Sequence, residues 1–354
     1  MWFTSDNAGP VAPEIMTALL KANDIYSSSY GADPIMDGVR DRIRNIFEAP
    51  EAAVYLVSTG TAANALALAC LCQPWQTVFC HKDAHVAVDE CGAPEFFTNG
   101  AKLTLLDGEH AKINADGLKA AIDSTGREGV HNVQKGALSI TTATEDGTVY
   151  TLKELRALTN IAKARDVPVH LDGARFANAL VHLGCTAAEM TWKSGIDTVS
   201  FGGTKNGLMG VEAVILFDPK RAWEFELRRK RGGHLISKHR YLAAQMEAYL
   251  TDDLWLKLAT RANAAATKLA AGLAAMPHAT LQHPVEANII FASWPRAGHK
   301  AAQEAGAQYY FWPFGQSLDG KPDELLSARL VCNWATTDKD IEKLLSVMAA
   351  GNSK

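Results

Sequence analysis

Between residues 52 and 217 the chain alternates short apolar runs with helix-like segments, and this alternation limits the possible folds more than any other feature. "AAVYLVST" (52–59), "QTVFC" (76–80), "AKLTLL" (101–106), "GALSITTA" (136–143), "VPVHLDGA" (167–174), "IDTVSFGG" (196–203) and "EAVILF" (212–217) read as strands. "TAANALALACL" reads as a helix after the first, "NADGLKAAID" (114–123) as one capped by Asn114, and "TLKELRALTNIAKARD" (151–166) as an amphipathic one capped by threonine. Near-continuous apolar strands that alternate with helices predict an α/β domain, its parallel or mixed sheet covered on both faces. The 354 residues allow one large domain or two. The basic segment "ELRRKRGGHLISKHR" (226–240) reads as a long linking helix broken at Gly232-Gly233. Beyond it lie an alanine-rich helical pair and then strands at 288–294 and 326–334 around a helix. The expected division is a large unit, 1–245, and a smaller α+β unit, 246–354.

Ligands of open α/β sheets bind beyond the carboxyl ends of the strands. Three polar clusters fall at such ends: "STGT", "HLDGAR" and "SFGGTK". In the first, Gly60 and Thr61 stand where a strand gives way to a helix. Backbone N–H groups there favour an anion, usually phosphate, and Ser58 and Thr61 add hydroxyls. A plain capping turn reads the same way. In the second, Asp172 closes an apolar strand and needs a cationic partner, either Arg175 or a protonated ring nitrogen. In the third, Lys205 lacks the preceding glycine and following hydroxyl of a P-loop. It is then a solvated lysine in a glycine turn, or an amine that holds a carbonyl cofactor as a Schiff base. Pyridoxal 5'-phosphate needs just this set: an aldehyde-binding lysine, an acid at its ring nitrogen and a phosphate cup. His85, just past the second strand, can stack on such a ring or be an ordinary packed histidine.

Other classes are disfavoured. The formal net charge is -4, with no basic footprint for nucleic acid. The start, "MWFTSDNAGP", lacks the pattern of a signal peptide, and "TAANALALACLC" is too short to span a membrane. Six cysteines, mostly in apolar surroundings, read as reduced thiols of a cytoplasmic protein, and "CLC" lacks metal-pair spacing, so no metal is expected.

The chain resembles the L-threonine aldolase family of fold-type-I pyridoxal phosphate enzymes. "SDNAGPVAPEIM", "YGADP", "STGTAAN", "HVAVDE", "HLDGARFANAL", "SFGGTKNG" and "SARLV" carry the likeness along nearly the whole length. It implies a mostly parallel central sheet with helices on both faces and a smaller C-terminal α+β domain. It implies retro-aldol cleavage of L-threonine, L-allo-threonine or phenylserine to glycine and an aldehyde, by way of an external aldimine and a quinonoid. A β-eliminating lyase or aminotransferase of the same fold is the alternative, and a non-catalytic binding protein a more distant one.

By the same resemblance Lys205 is the Schiff-base lysine, Asp172 pairs with the ring nitrogen and His85 stacks on the ring. Ser58, Gly60 and Thr61 hold the phosphate and Thr204 supports the cofactor. Ser5, Arg175 and Arg329 bind the substrate carboxylate. Glu90 matches an acidic group near the substrate, and His131 a histidine near its hydroxyl. Tyr30 reaches a neighbouring subunit's site in a homotetramer. Three stretches depart from the commoner pattern: "TKNGLMGVE" at the lysine, "TTATEDGT" after the fourth strand and "GGHLISKHR", where Lys238 takes the role of a phosphate-binding arginine.

Overall fold

The computed structural model describes residues 1–24 and 26–352, so the last two residues of the expected smaller unit lie outside it. The expected strands form as β1 (Ala53–Val57), β2 (Gln76–His81), β3 (Lys102–Leu106), β4 (Gln134–Thr141), β5 (Val169–Gly173), β6 (Thr198–Gly202) and β7 (Glu212–Leu216). Among the described residues they make one sheet in the order β1-β7-β6-β5-β4-β2-β3. β5, β6 and β7 are buried at every residue, as strands covered on both faces must be. β2 to β6 run parallel, whereas β7 is antiparallel to both β1 and β6. The link from Gly202 to Glu212 explains this reversal: it is shorter than the roughly dozen residues a parallel crossover takes.

Local chemistry sets the helix starts. Asn114 accepts the Gly117 N–H at 2.9 Å, as expected of a cap. Thr151 and Glu154 form a reciprocal capping box at the head of the helix Leu152–Lys163. The helix Gly60–Leu71 is apolar all round and buried from Ala62 to Leu71, wedged behind the sheet. The basic segment breaks where expected, at Gly232-Gly233, though a loop rather than continued helix follows the break. Its helix, Ala222–Arg231, stops at Gly232, Gly233 adopts a positive φ of 79°, and the next helix starts only at Arg240. Its face is not wholly solvated either. Arg229 turns inward, with its guanidinium 4.9 Å over the Tyr55 ring and Nη1 on the Leu56 carbonyl at 3.3 Å.

A second, antiparallel sheet follows, β8 (Thr280–Leu281), β9 (Ile289–Pro295), β10 (Tyr310–Phe311) and β11 (Leu325–Val331), in the order β10-β11-β9-β8. Its core joins Trp294, Leu330, Leu344 and Met348 to Phe3 from the far end of the chain. Phe3 is tied down on both sides, its N–H to the Gln308 carbonyl at 2.7 Å and its carbonyl to the Val331 N–H at 2.9 Å. The helix Leu254–Ala274 serves both cores, Leu258 and Ala259 in the large one and Leu269 and Leu273 in the small one. The N-terminal segment, leaving Phe3, therefore runs along the seam between the two sheets.

Three buried histidines carry a pH dependence. His170 on β5 is held between Ser139 Oγ (3.0 Å) and Ser200 Oγ (2.9 Å). Burial pushes its imidazole down to about 4, only partly opposed by Asp172, and burial does the same to His239 and His299. An unfolded histidine binds a proton near 6.5, so the folded chain takes up fewer protons in weak acid. Stability is then full above that value and falls as pH drops toward 4, by roughly 2–3 kcal/mol for each such group. We expect His170→Gln to flatten the fall in melting temperature between about pH 7 and about pH 5. A decline as steep as in the wild type would contradict the assignment.

Candidate active site

The carboxyl ends of β1, β5 and β6 open onto one cavity of about 390 Å³. Ser58, Gly60, Thr61, His85, Asp172, Thr204 and Lys205 all line it. Asn7, Asn64, Asp89 and Glu212 complete much of the wall.

At the β1 end, Thr59 is the helix cap: its hydroxyl accepts the Ala62 N–H at 3.1 Å and its carbonyl the Ala63 N–H at 3.1 Å. The N–H groups of Gly60 and Thr61 are left free of the helix's own ladder, the usual arrangement for an anion. At the β5 end, Asp172 is 1% exposed. Its Oδ1 accepts the Ala174 N–H at 3.0 Å and its Oδ2 accepts Asn64 Nδ2 at 2.9 Å. The ion pair open to Arg175 does not form with Asp172. That guanidinium turns instead to Asp6, Nε to Oδ2 at 2.7 Å and Nη2 to Oδ1 at 2.9 Å. Among the described residues Asp172 thus meets the cavity with amide donors only. At the β6 end, Lys205 stands in a single turn, Thr204–Asn206, anchored by Asn206 Nδ2 to the Tyr249 hydroxyl (2.7 Å) and the Trp255 carbonyl (2.8 Å).

An arc of polar side chains runs behind the cavity. Asn64 Nδ2 also donates to Glu90 Oε1 at 2.8 Å, and His85 Nδ1 lies 2.8 Å from the same oxygen. Burial raises the Glu90 carboxyl, with His85 and Asn64 pulling it back. The bond to Glu90 raises the His85 imidazole, against burial and the charge of Lys205. Nδ1 is thereby committed to Glu90, and Nε2 is the nitrogen left for a ligand.

A cationic pair lies toward the small sheet. Arg329, on β11, sits 5.3 Å over the Trp312 ring and 5.7 Å over that of Tyr310, with Nη2 on the Thr4 carbonyl at 3.4 Å. Its Nε is buried with no hydrogen-bond partner among the described residues. Burial and then the charge of Arg175 lower its pKa, and Glu145 lies in the field of both arginines and of His85. Burial would raise the Asp6 carboxyl, but Arg175, Lys205 and Asn288 hold it below the ordinary range. Two neighbouring guanidiniums with one carboxylate between them suit a second, incoming carboxylate.

Comparison with known proteins gives the family and the fold. The family model of the beta-eliminating lyases matches residues 3–294. A low specificity L-threonine aldolase of Pseudomonas aeruginosa is 40% identical over 342 residues, 97% of this chain and 94% of that protein. Another, from a Pseudomonas species, is 38% identical over 348 residues, 98% of this chain and 97% of its own. The chain belongs to the threonine aldolases of the beta-eliminating lyase family. The solved threonine aldolase of Leishmania major superposes with a TM-score of 0.90 at 26% identity, covering 99% of this chain and 98% of that one. The fold-type-I architecture expected of the threonine aldolase family is therefore the one found.

Not every residue carried over from the family reaches the cavity. His131 is exposed, in a turn (Gly129–His131) that precedes β4. It thus lies at the amino edge of the sheet, a whole strand away from the carboxyl edge where Asp172 and Lys205 meet, and outside this chain's own cavity. Tyr30 is 48% exposed and packs beneath the Lys230 amine at 5.0 Å, outside this chain's cavity. Lys238 is exposed in the loop before Arg240, also away from it. Ser5 caps the turn Asp6–Ala8 by accepting the Asn7 N–H at 3.2 Å, which puts Asn7 in the cavity wall. Asp6, Asn7, Asn64, Asp89, Glu145 and Glu212 escaped the sequence reading. A faint signal existed for two of them, since Asn64 is a polar residue within an apolar helix and Glu212 heads a strand that is otherwise apolar.

Proposed function

We propose that this threonine-aldolase-family protein binds pyridoxal 5'-phosphate and cleaves L-threonine and related β-hydroxy-α-amino acids to glycine and an aldehyde. The observation that carries this reading is the cavity shared by Lys205, Asp172 and the free N–H groups of Gly60 and Thr61. The donor set fits the cofactor. Asp172 is a buried carboxylate that receives only amide N–H groups and faces a cavity able to bring it a protonated ring nitrogen. When bound, the cofactor supplies an electron sink for the pair released as the Cα–Cβ bond breaks.

The chain's own side chains do the rest. Lys205 offers its amine to the aldehyde carbon. Asp172 holds the proton on the ring nitrogen. Ser58, Gly60 and Thr61 bind the phosphate, with Thr204 beside them. His85 covers the ring, and Glu90 fixes its orientation. Arg175 and Arg329, with Ser5 nearby, bind the substrate carboxylate and so set the rotation about the Cα–N bond. The base for the β-hydroxyl proton is His85 Nε2, directly or through a water, since Nδ1 is committed to Glu90.

On the same reading the enzyme is a cytoplasmic homotetramer with sites at subunit interfaces. Residues 1–245 form the cofactor-binding unit, and 246–354 the smaller one that contributes Arg329. Tyr30 and Lys238 serve a neighbour's site. The Tyr30 N–H donates to the Ser237 carbonyl at 3.1 Å, which supports one exposed surface holding both. The six cysteines are unpaired, which supports a reducing compartment, and among the described residues no helix is long and apolar enough to cross a membrane.

Incubation of the loaded protein with L-threonine is expected to yield glycine and acetaldehyde in equal amounts. Ammonia and a keto acid would instead identify an eliminating lyase.

A further inference from the structure

Glu212 heads β7, the strand that, among the described residues, runs antiparallel to both its neighbours in the large sheet, and that placement is unusual chemically. Its register partners are Val57 on β1 and Gly202 on β6. Val57 leads directly into the turn with Gly60 and Thr61, and Gly202 into the turn with Lys205. A single carboxyl group therefore sits between the anion-binding end and the amine. It lines the same cavity, is buried, and accepts the Gly203 N–H at 2.6 Å. Thr204 adds its hydroxyl and its backbone N–H as further donors. A carboxylate is costly in such a place unless it serves a partner.

We propose that Glu212 is a positioning residue for Lys205, fixing the 203–205 turn by hydrogen bonds and favouring, by its charge, the protonated form of the nitrogen that Lys205 contributes to the site. The inference rests on the reading that Lys205 carries the cofactor. The groups facing Glu212 bear it out. From its own turn come Thr204 and Lys205, whose charge acts on it. From the helix Arg240–Leu250 comes Tyr249, its hydroxyl on the Gly202 carbonyl at 3.3 Å, raised by burial and further by Glu212. Across the cavity stand His85, Asp89 and Asp172. Among the described residues, Lys205 is the cation whose charge acts on it. Burial pushes the Glu212 carboxyl up to about 7, so the charge switches near neutrality.

The test is a pH titration of the visible absorbance of pyridoxal-phosphate-loaded protein. Glu212→Gln keeps an oxygen for the Gly203 N–H but removes the charge. It is expected to take up the cofactor, with the pH midpoint of the band lowered by about one unit. Glu212→Ala is expected to lower the midpoint equally and to weaken cofactor binding about tenfold, since the turn loses its acceptor too. A second measurement needs no cofactor. An unfolded glutamate ionises near 4.5 and the folded one near 7, so in unloaded wild-type protein this carboxyl contributes a decline in stability as pH rises through that window, set against the rise that the three buried histidines give. Glu212→Gln should remove that decline. An unchanged midpoint, or an unchanged melting profile, in Glu212→Gln overturns the inference. A wild-type protein with no visible band at all would refute the cofactor reading itself, and this inference with it.

Discussion

Replacing Lys205 with alanine is expected to abolish the visible absorbance of the loaded protein and to cut kcat roughly a thousandfold or more, about 4 kcal/mol of barrier. Alanine has no nitrogen to offer the aldehyde, and no other amine lines the cavity wall among the described residues. The hydrogen bonds of the turn should survive the change. The turn is held by Gly203 on Glu212, by the Val211 N–H on Thr204 Oγ1 at 3.2 Å and by Asn206 on Tyr249 and Trp255, none of which uses the lysine side chain. Melting should therefore fall by no more than about 1–2 kcal/mol, the cost of taking one cation out of the field of Asp6 and Glu212. The variant should still bind pyridoxal phosphate non-covalently through Asp172 and the helix end. Absorbance spectra and steady-state rates check both parts. A variant that kept its colour and its turnover would remove Lys205 from the mechanism.

Asp6→Ala should do the opposite, harming the fold as much as the chemistry. Asp6 and Arg175 form a two-point pair with side chains 0% and 9% exposed, and Asn288 Nδ2 joins Asp6 Oδ2 at 3.0 Å. Removing the carboxylate leaves a buried guanidinium unpaired, a loss of about 3–5 kcal/mol. Urea denaturation at neutral pH measures it. The Asp6 carboxyl is held below its ordinary value of 3.8 in the folded chain, so its contribution is fully present above that value and is lost as pH falls through the depressed range. The gap between variant and wild type should close accordingly in acid. Arg175, unheld, should also bind the substrate carboxylate less well, raising KM. Replacing both partners, Asp6→Leu with Arg175→Met, should recover much of the stability and none of the activity, because two apolar groups leave no charge stranded. An Asp6→Ala protein as stable as wild type would contradict the pairing.

These two residues also mark what the sequence could and could not show. Lys205, Asp172 and Gly60 were legible because each follows an apolar strand, and the carboxyl ends of parallel strands converge on one edge. The helix caps at Asn114 and Thr151 were legible because capping is local. Asp6 was not, since its partner is 169 positions away and only the crossing of the N-terminal segment between the sheets joins them. Asn64 was hidden in an apolar helix, yet its amide bridges Asp172 and Glu90. The reversal of β7 lay in the length of one link. It moved Glu212 from a strand's unremarkable first residue to the cavity wall. His131 shows the converse: a motif match fixes a place in the chain, whereas the edge of the sheet on which a residue stands within its own subunit is fixed by whether it precedes or follows its strand.

The central claim is that one amine holds the cofactor covalently. Borohydride reduction of the pyridoxal-phosphate-loaded protein, followed by peptide mapping, measures this directly. The expected result is a single tagged peptide containing Lys205. A tag on a different lysine, or none on protein that has bound the cofactor, would contradict it.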